Sequence, residues 1–219
     1  SSIFKCERIV IFGGLNKKLM GYGLLKGKVG IISGALDETS IAWKVAEFAH
    51  EEGAKIVLTN APIAMRMGEI NKLAEKCGAE IIPADATSME DLDNLFSKSQ
   101  EILGGKLDFV LHSIGMSPNV RKKKAYGDLN YNWFKKSLDI SAMSFHRMMQ
   151  TAEKQDAMNE WGSIVALSYI AAQRTFPDYS DMAQAKAMLE SIARSYGQRY
   201  GELKKVRVTT ISQSPTWTT

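Results

Sequence analysis

From Lys28 onward the apolar residues of this chain follow two alternating rhythms: short unbroken runs, and longer stretches with an apolar position every three or four residues. Val29–Ser33 is a compact run that breaks at Gly34, after which Ile41, Val45, Phe48 and Ala49 recur at helical spacing until Gly53. Lys55–Thr59 reads as a second strand. A helix through Ile70, Leu73, Ala74 and Cys77 follows and stops at Gly78, glycine being the common residue just past a helix end. Residues 80–84 form a third strand, and Thr87 with Glu90 makes a capping box ahead of Leu92, Leu95, Phe96 and Ile102. Residues 107–113 form a fourth strand, and the stretch 131–158 carries Phe134, Leu138, Phe145, Met148 and Met149 at helical intervals. Residues 163–168 read as a fifth strand, 179–200 as a long helix and 206–212 as a sixth strand.

Six strands joined by five helical connections predict a parallel sheet with helices on both faces, because each right-handed crossover has to cover one face. This is the doubly wound, three-layer α/β/α architecture (Rossmann-type), whose ligands lie beyond the C-terminal ends of the strands.

Composition narrows the picture modestly. A length of 219 residues suits one domain, and 45% hydrophobic with 24% charged residues is ordinary for a soluble fold. No apolar run reaches the roughly 18 residues of a membrane span. Cys6 and Cys77 have no partners at metal-ligand spacing, so no metal site is expected and a reducing, cytoplasmic setting fits. The net charge of +4 is mild, and without finger spacing, a stacking-aromatic motif or a long basic stripe, nucleic acid is not an expected partner. The run Arg121-Lys122-Lys123-Lys124 stands out, either as a solvated loop or as a landing patch for an acidic partner. Residues 8–14 imitate a strand entering a glycine turn, but 15–18 do not continue as an apolar-faced helix. Residues 1–22 therefore read as a leader or added extension, and 23–219 as the folded domain.

The chemistry is expected at the strand ends. Gly34 supplies the tight turn after the first strand, although the segment lacks the usual three glycines, and small residues at Ser40 and Ala42 let the following helix approach a pyrophosphate with its unpaired amides. Asp85, after the third strand, can accept a hydrogen bond from an adenine amino group. Ser113-Ile114-Gly115, after the fourth, lets backbone pass close to a ribose, and hydroxyls such as Thr216 and Thr218, after the sixth, suit a nicotinamide amide and phosphates. The reactive pair is Tyr179 and Lys186, seven residues apart on the predicted 179–200 helix and so within about 20° of one face. The lysine can bond a cofactor ribose, and the tyrosine a substrate carbonyl. Tyr169 ends the fifth strand and points to the same rim.

Gly34-x5-Ser40-Ile41-Ala42, Leu111-His112-Ser113-Ile114-Gly115, Leu138-Asp139-Ile140-Ser141, Leu167-Ser168-Tyr169 and Tyr179-x2-Met182-Ala183-x2-Lys186 follow one another in an order that resembles the enoyl-acyl-carrier-protein reductases of the short-chain dehydrogenase/reductase superfamily. The resemblance covers residues 24–218. It implies hydride transfer from NAD(P)H to the β-carbon of a trans-2-enoyl thioester. Tyr179 would bond the thioester carbonyl, Lys186 would anchor the ribose and Tyr169 would line the acyl site. It also implies cofactor contacts at Gly34, Ser40, Ile41, Asp85, Ala86, Ser113, Ile114, Gly115, Lys186, Thr216 and Thr218, and substrate contacts at Ser117 and Met182. Ala61 replaces a glutamine common in such relatives; with no acid or arginine immediately beside it, and Arg66 within reach from the next helix, NADH is favoured and NADPH stays open. The basic run 121–124 then has a natural partner in the acidic acyl carrier. The resemblance further implies a homotetramer, and a helical flap, further helices and a seventh strand beyond Thr219. A short-chain carbonyl or ketoacyl reductase and a non-catalytic dinucleotide-binding module remain the rival readings.

Overall fold

The structure is a computed structural model that describes residues 21–66 and 68–213. Nearly all of the expected extension, with Cys6, and the expected contacts Thr216 and Thr218 therefore lie outside the described residues. Six strands are described: β1 (Val29–Ser33), β2 (Lys55–Thr59), β3 (Glu80–Ile81), β4 (Leu107–His112), β5 (Met158–Tyr169) and β6 (Arg207–Gln213). They form one parallel sheet in the order β3-β2-β1-β4-β5-β6. The helices are α1 (Ile41–Glu51), α2 (Pro62–Met65), α3 (Ile70–Cys77), α4 (Met89–Leu103), α5 (Pro118–Arg121), α6 (Tyr131–Leu138), α7 (Ser144–Lys154) and α8 (Met182–Lys204).

The pleat sends alternate side chains to opposite faces, and the core divides accordingly. Ile31, Val57, Val110 and Ile164 meet Leu95, Phe96, Phe145, Met148 and Leu189 from α4, α7 and α8. Their neighbours Ile32, Leu58, Leu111 and Leu167 meet Trp43, Ile70 and Leu73 from α1 and α3. Each of these buried side chains contributes on the order of 1.5–3 kcal/mol. The central strands are buried on both faces, which is why they read as unbroken apolar runs.

Several expectations need correction. The stretch 131–158 is helical only as far as Lys154: α6 runs through a π-helical segment at Asp139–Met143 directly into α7, and Met158 already belongs to β5. The residue that caps α4 is Ser88, whose hydroxyl accepts from the Asp91 amide, while Thr87 bonds Asp85 instead; the Thr87–Glu90 capping box does not form. Strand pairing of β3 ends at Ile81, although the amides of Ile82 and Ala84 still donate to Leu58 and Asn60 on β2's side at 3.0 Å. Most consequentially, Tyr179 is not on the helix that carries Lys186. Pro177 opens a 3₁₀ turn that ends at Tyr179, Ser180 turns the chain with φ 43° and ψ −135°, and α8 begins at Met182. The same-face argument for Tyr179 and Lys186 therefore fails.

Candidate active site

At the C-terminal end of β1, Gly34 has φ +90°, and a Cβ there would stand 1.9 Å from the Ser113 carbonyl oxygen. The ends of β1 and β4 thus approach so closely that only glycine fits. Ser40 precedes α1, and its hydroxyl ties down the turn, accepting from Leu36 N at 3.2 Å and donating to Asp37 O at 2.8 Å. It makes no side-chain cap to the amides at the start of α1, which begins at Ile41. Asn60, at the end of β2, donates to Ala35 O at 2.9 Å and accepts from Ala61 N at 2.8 Å, locking the two turns together. Arg66 is exposed at the end of α2.

Asp85 is exposed, and one of its oxygens accepts from both the amide and the hydroxyl of Thr87 at 2.8 Å. Its own amide donates to Asp91 at 2.8 Å, so the turn after β3 is pinned to the start of α4. Ala86 and Ile114 are partly buried, and with Ser33, Thr59 and Met148 they border a gap of about 10 Å³ under the rim, too small for a ligand.

The second half of the rim is built around Lys186. This side chain is 7% exposed, and its ammonium donates to the Leu167 carbonyl at 2.7 Å. Burial pulls its pKa down from 10.5 to about 8. A Cβ on Gly115 would lie 3.5 Å from the Lys186 Nζ and 3.7 Å from Met182 Cε, so Gly115, Met182 and Lys186 share one spot. Two residues beyond Leu167, Tyr169 ends β5 and stacks on Tyr179, with ring centroids 4.4 Å apart and planes at 35°. Phe176 flanks Tyr169 at 5.6 Å. Burial, and then the neighbouring Tyr169, push the Tyr179 phenol up to about 12. The end of β5 therefore does what the helix does not: it carries Tyr179 through a ring stack and Lys186 through a backbone carbonyl.

Ser117 is also drawn in, but its hydroxyl is buried and committed, donating to Asp181 at 2.5 Å and accepting from Val120 N at 3.0 Å. A model of the family described as Enoyl-(Acyl carrier protein) reductase matches residues 34–219.

The chain belongs to the enoyl-acyl-carrier-protein reductase family.

Its relatives include the enoyl-acyl-carrier-protein reductase (NADH) FabI of Rickettsia bellii, 37% identical over 197 residues that cover 90% of this chain and 73% of that one. Among solved structures, the FabI–NADH complex from Alistipes finegoldii is 66% identical with a TM-score of 0.88, covering 90% of this chain and 70% of that one. The reductase from Anaplasma phagocytophilum in complex with NAD is 32% identical with a TM-score of 0.80, over 89% and 73% of the two chains.

Within this enoyl reductase framework several buried polar groups escaped the sequence reading. Asp181 is fully buried and accepts from Ser117, Asn119 and Ser137. Glu190 takes a bond from Ser168 at 2.6 Å on the strand that delivers Tyr169. His112 is buried with its Nε2 2.8 Å from the Ser144 hydroxyl; burial, then the Lys186 charge, pull it down to about 3, so it is neutral. For His112 the available signal was a polar residue ending an otherwise apolar strand. Among the described residues no group of three His, Cys, Asp or Glu is placed to hold a metal ion. A cleft of about 270 Å³ lined by Glu153, Asp156, Met158 and Lys204 lies at the opposite ends of β5 and α8 from Tyr169 and Lys186.

Proposed function

We propose that this chain reduces a trans-2-enoyl thioester borne on acyl carrier protein to the saturated acyl thioester, with NADH as the hydride donor. The observation that carries this reading is the Tyr169–Tyr179 stack joined through the end of β5 to buried Lys186 beside Gly115. The names of the relatives, enoyl-acyl-carrier-protein reductase (NADH), support the reaction and the cofactor.

The residues present fit a dinucleotide. The uncapped start of α1, behind Gly34, Ser40 and Ile41, offers amide donors and a positive dipole end to a pyrophosphate. Among the described residues the hydrogen bonds to the Asp85 carboxylate fall on one oxygen, so the other can take an amino group, with Ala86 beneath the base. Ser113, Ile114 and Gly115 would follow the ribose. Lys186 has three donors and spends one on Leu167 O, which leaves two for ribose hydroxyls. Thr216 and Thr218 would hold the nicotinamide end. When bound, NADH supplies the hydride that adds to the β-carbon of the substrate.

Tyr179 is then the proton and hydrogen-bond donor. With a pKa raised to about 12 the phenol stays protonated at neutral pH, so it bonds the thioester carbonyl and stabilises the enolate oxygen instead of acting as a base. The Lys186 charge favours the same developing oxyanion. Tyr169 and Met182 would border the acyl chain, with Ser117 supporting that wall from below.

Arg121, Lys122 and Lys123 are exposed without ion pairs among the described residues, whereas Lys124 bonds Asp128 at 3.0 Å. This patch suits the acidic carrier. A homotetramer acting in the cytoplasm completes the reading; sedimentation of the protein tests the assembly. Among the described residues no helix is long and apolar enough to cross a membrane. The reaction is tested by oxidation of NADH and of NADPH with a crotonyl thioester and, separately, with simple ketones. NADH oxidation with the thioester is expected; turnover of ketones alone would instead identify a carbonyl reductase, and binding without turnover a dinucleotide-binding module.

A further inference from the structure

The link between Tyr179 and α8 holds an unusual backbone beside a buried carboxylate. Ser180, at φ 43° and ψ −135°, sits in a conformation that L-residues rarely adopt and that persists only when the surroundings enforce it. Its own side chain does not enforce it, because the Ser180 hydroxyl is buried without a hydrogen-bond partner among the described residues. The next residue, Asp181, is fully buried and has no ion pair among the described residues. One of its oxygens accepts from the Ser117 hydroxyl at 2.5 Å, the other from Asn119 Nδ2 at 2.8 Å and the Ser137 hydroxyl at 2.9 Å.

Those donors come from separate parts of the fold. Ser117 caps α5, Asn119 lies within it, and Ser137 is on α6. Asn119 in turn exchanges bonds with the backbone of Asn130, at 3.2 and 3.1 Å. A single carboxylate thereby ties the loop after β4, the end of α6 and the Tyr179 turn into one unit. Ser117 and Asn119 donate to it, and Ser137 shares its one hydroxyl hydrogen between Asp181 and the Trp133 carbonyl, each at 2.9 Å; an acceptor-only carboxylate suits this set of donors.

We propose that Asp181 is a positioning residue for the reaction: its carboxylate holds the strained Ser180 link and so fixes the Tyr179 phenol in its stack on Tyr169. This rests on the reading of Tyr179 as the group that bonds the thioester carbonyl. The effect is mechanical, because the groups that raise the phenol's pKa are its burial and Tyr169.

The test compares wild type, Asp181→Asn, Asp181→Ala and Tyr179→Phe in the full chain. NADH oxidation with a crotonyl thioester is measured, together with NADH affinity and the phenol titration of ¹³Cζ-tyrosine-labelled protein. Asp181→Ala, which strands the Ser117 and Asn119 donors, is expected to lower kcat about 30-fold or more with NADH KM little changed, as a misplaced reacting group does. Asp181→Asn keeps the size and loses about one hydrogen bond, so kcat should fall about fivefold. In both variants the Tyr179 resonance should move and its titration shift toward the ordinary value of 10. If Asp181→Ala does not fold, Asp181→Asn decides alone. An unchanged kcat, or a lowered kcat with the Tyr179 resonance unmoved, overturns the proposal whatever happens to Tm. Wild-type kcat in Tyr179→Phe would instead remove the reading of Tyr179 itself, and loss there with no loss in the Asp181 variants would remove only the role of Asp181.

Discussion

Lys186 makes the sharpest physical prediction, because the proposed reaction needs it charged where the fold disfavours charge. Its pKa falls from 10.5 to about 8 on burial, and such a fall corresponds to about 3 kcal/mol of stability given up while the amine is protonated in both states. The sign follows from proton counts. Between pH 8 and 10.5 the unfolded chain still binds the proton that the native chain has released, so native stability rises with pH across that window. Lys186→Met keeps the length of the side chain and removes the titration. It also strands the Leu167 carbonyl, at a cost of about 1–3 kcal/mol, so the two proteins should be of comparable stability near pH 7. Urea unfolding at pH 7 and pH 10.5, read as wild type minus variant so that other titrations cancel, should show wild type gaining about 3 kcal/mol relative to the variant. NADH binding should be lost in the variant at pH 7. A wild-type-minus-variant difference that is the same at both pH values refutes the claim that Lys186 is held as a desolvated cation.

Other perturbations follow from individual contacts. Gly34→Ala forces a Cβ to within 1.9 Å of Ser113 O at a φ of +90°, so it should cost about 3 kcal/mol or more and abolish NADH binding; calorimetry of both checks this, and a stable variant that binds normally contradicts it. Ser88→Ala removes the cap of α4 and should lower stability by about 1 kcal/mol in urea titration while leaving NADH affinity unchanged. Reversing Arg121, Lys122 and Lys123 to glutamate should lower kcat/KM on carrier-linked substrate about tenfold or more, with little effect on a coenzyme A thioester. An equal loss on both substrates removes the carrier from the account of this patch.

The sheet was legible because its central strands are buried on both faces. Ile31 and Ile32, Val57 and Leu58, and Val110 and Leu111 leave no polar face to disguise them. Gly78 ends α3 with φ 57° and ψ 36°, as its position implied. The failures share a cause, competition settled by a hydrogen bond that local sequence does not reveal. Thr87 and Ser88 are both good caps, and Asp85 claims Thr87. Nothing in Tyr179-Ser180-Asp181 forbids a helix, and the break at Ser180 accompanies donors that arrive from Ser117, Asn119 and Ser137, more than forty residues upstream. The same long-range origin hid Asp181 from the sequence reading, since a lone aspartate at a helix start reads as an exposed cap. The shared helix face expected for Tyr179 and Lys186 does not form: the end of β5 instead stacks on Tyr179 through Tyr169 and accepts from Lys186 at the Leu167 carbonyl.

The proposed reduction depends most directly on the phenol of Tyr179. Purified protein with saturating NADH and a short trans-2-enoyl thioester should turn over, and Tyr179→Phe should lower kcat about 100-fold or more while NADH affinity stays within about twofold, because only the bond to the developing oxyanion is removed. Wild-type turnover by Tyr179→Phe, or a loss confined to NADH affinity, would contradict it.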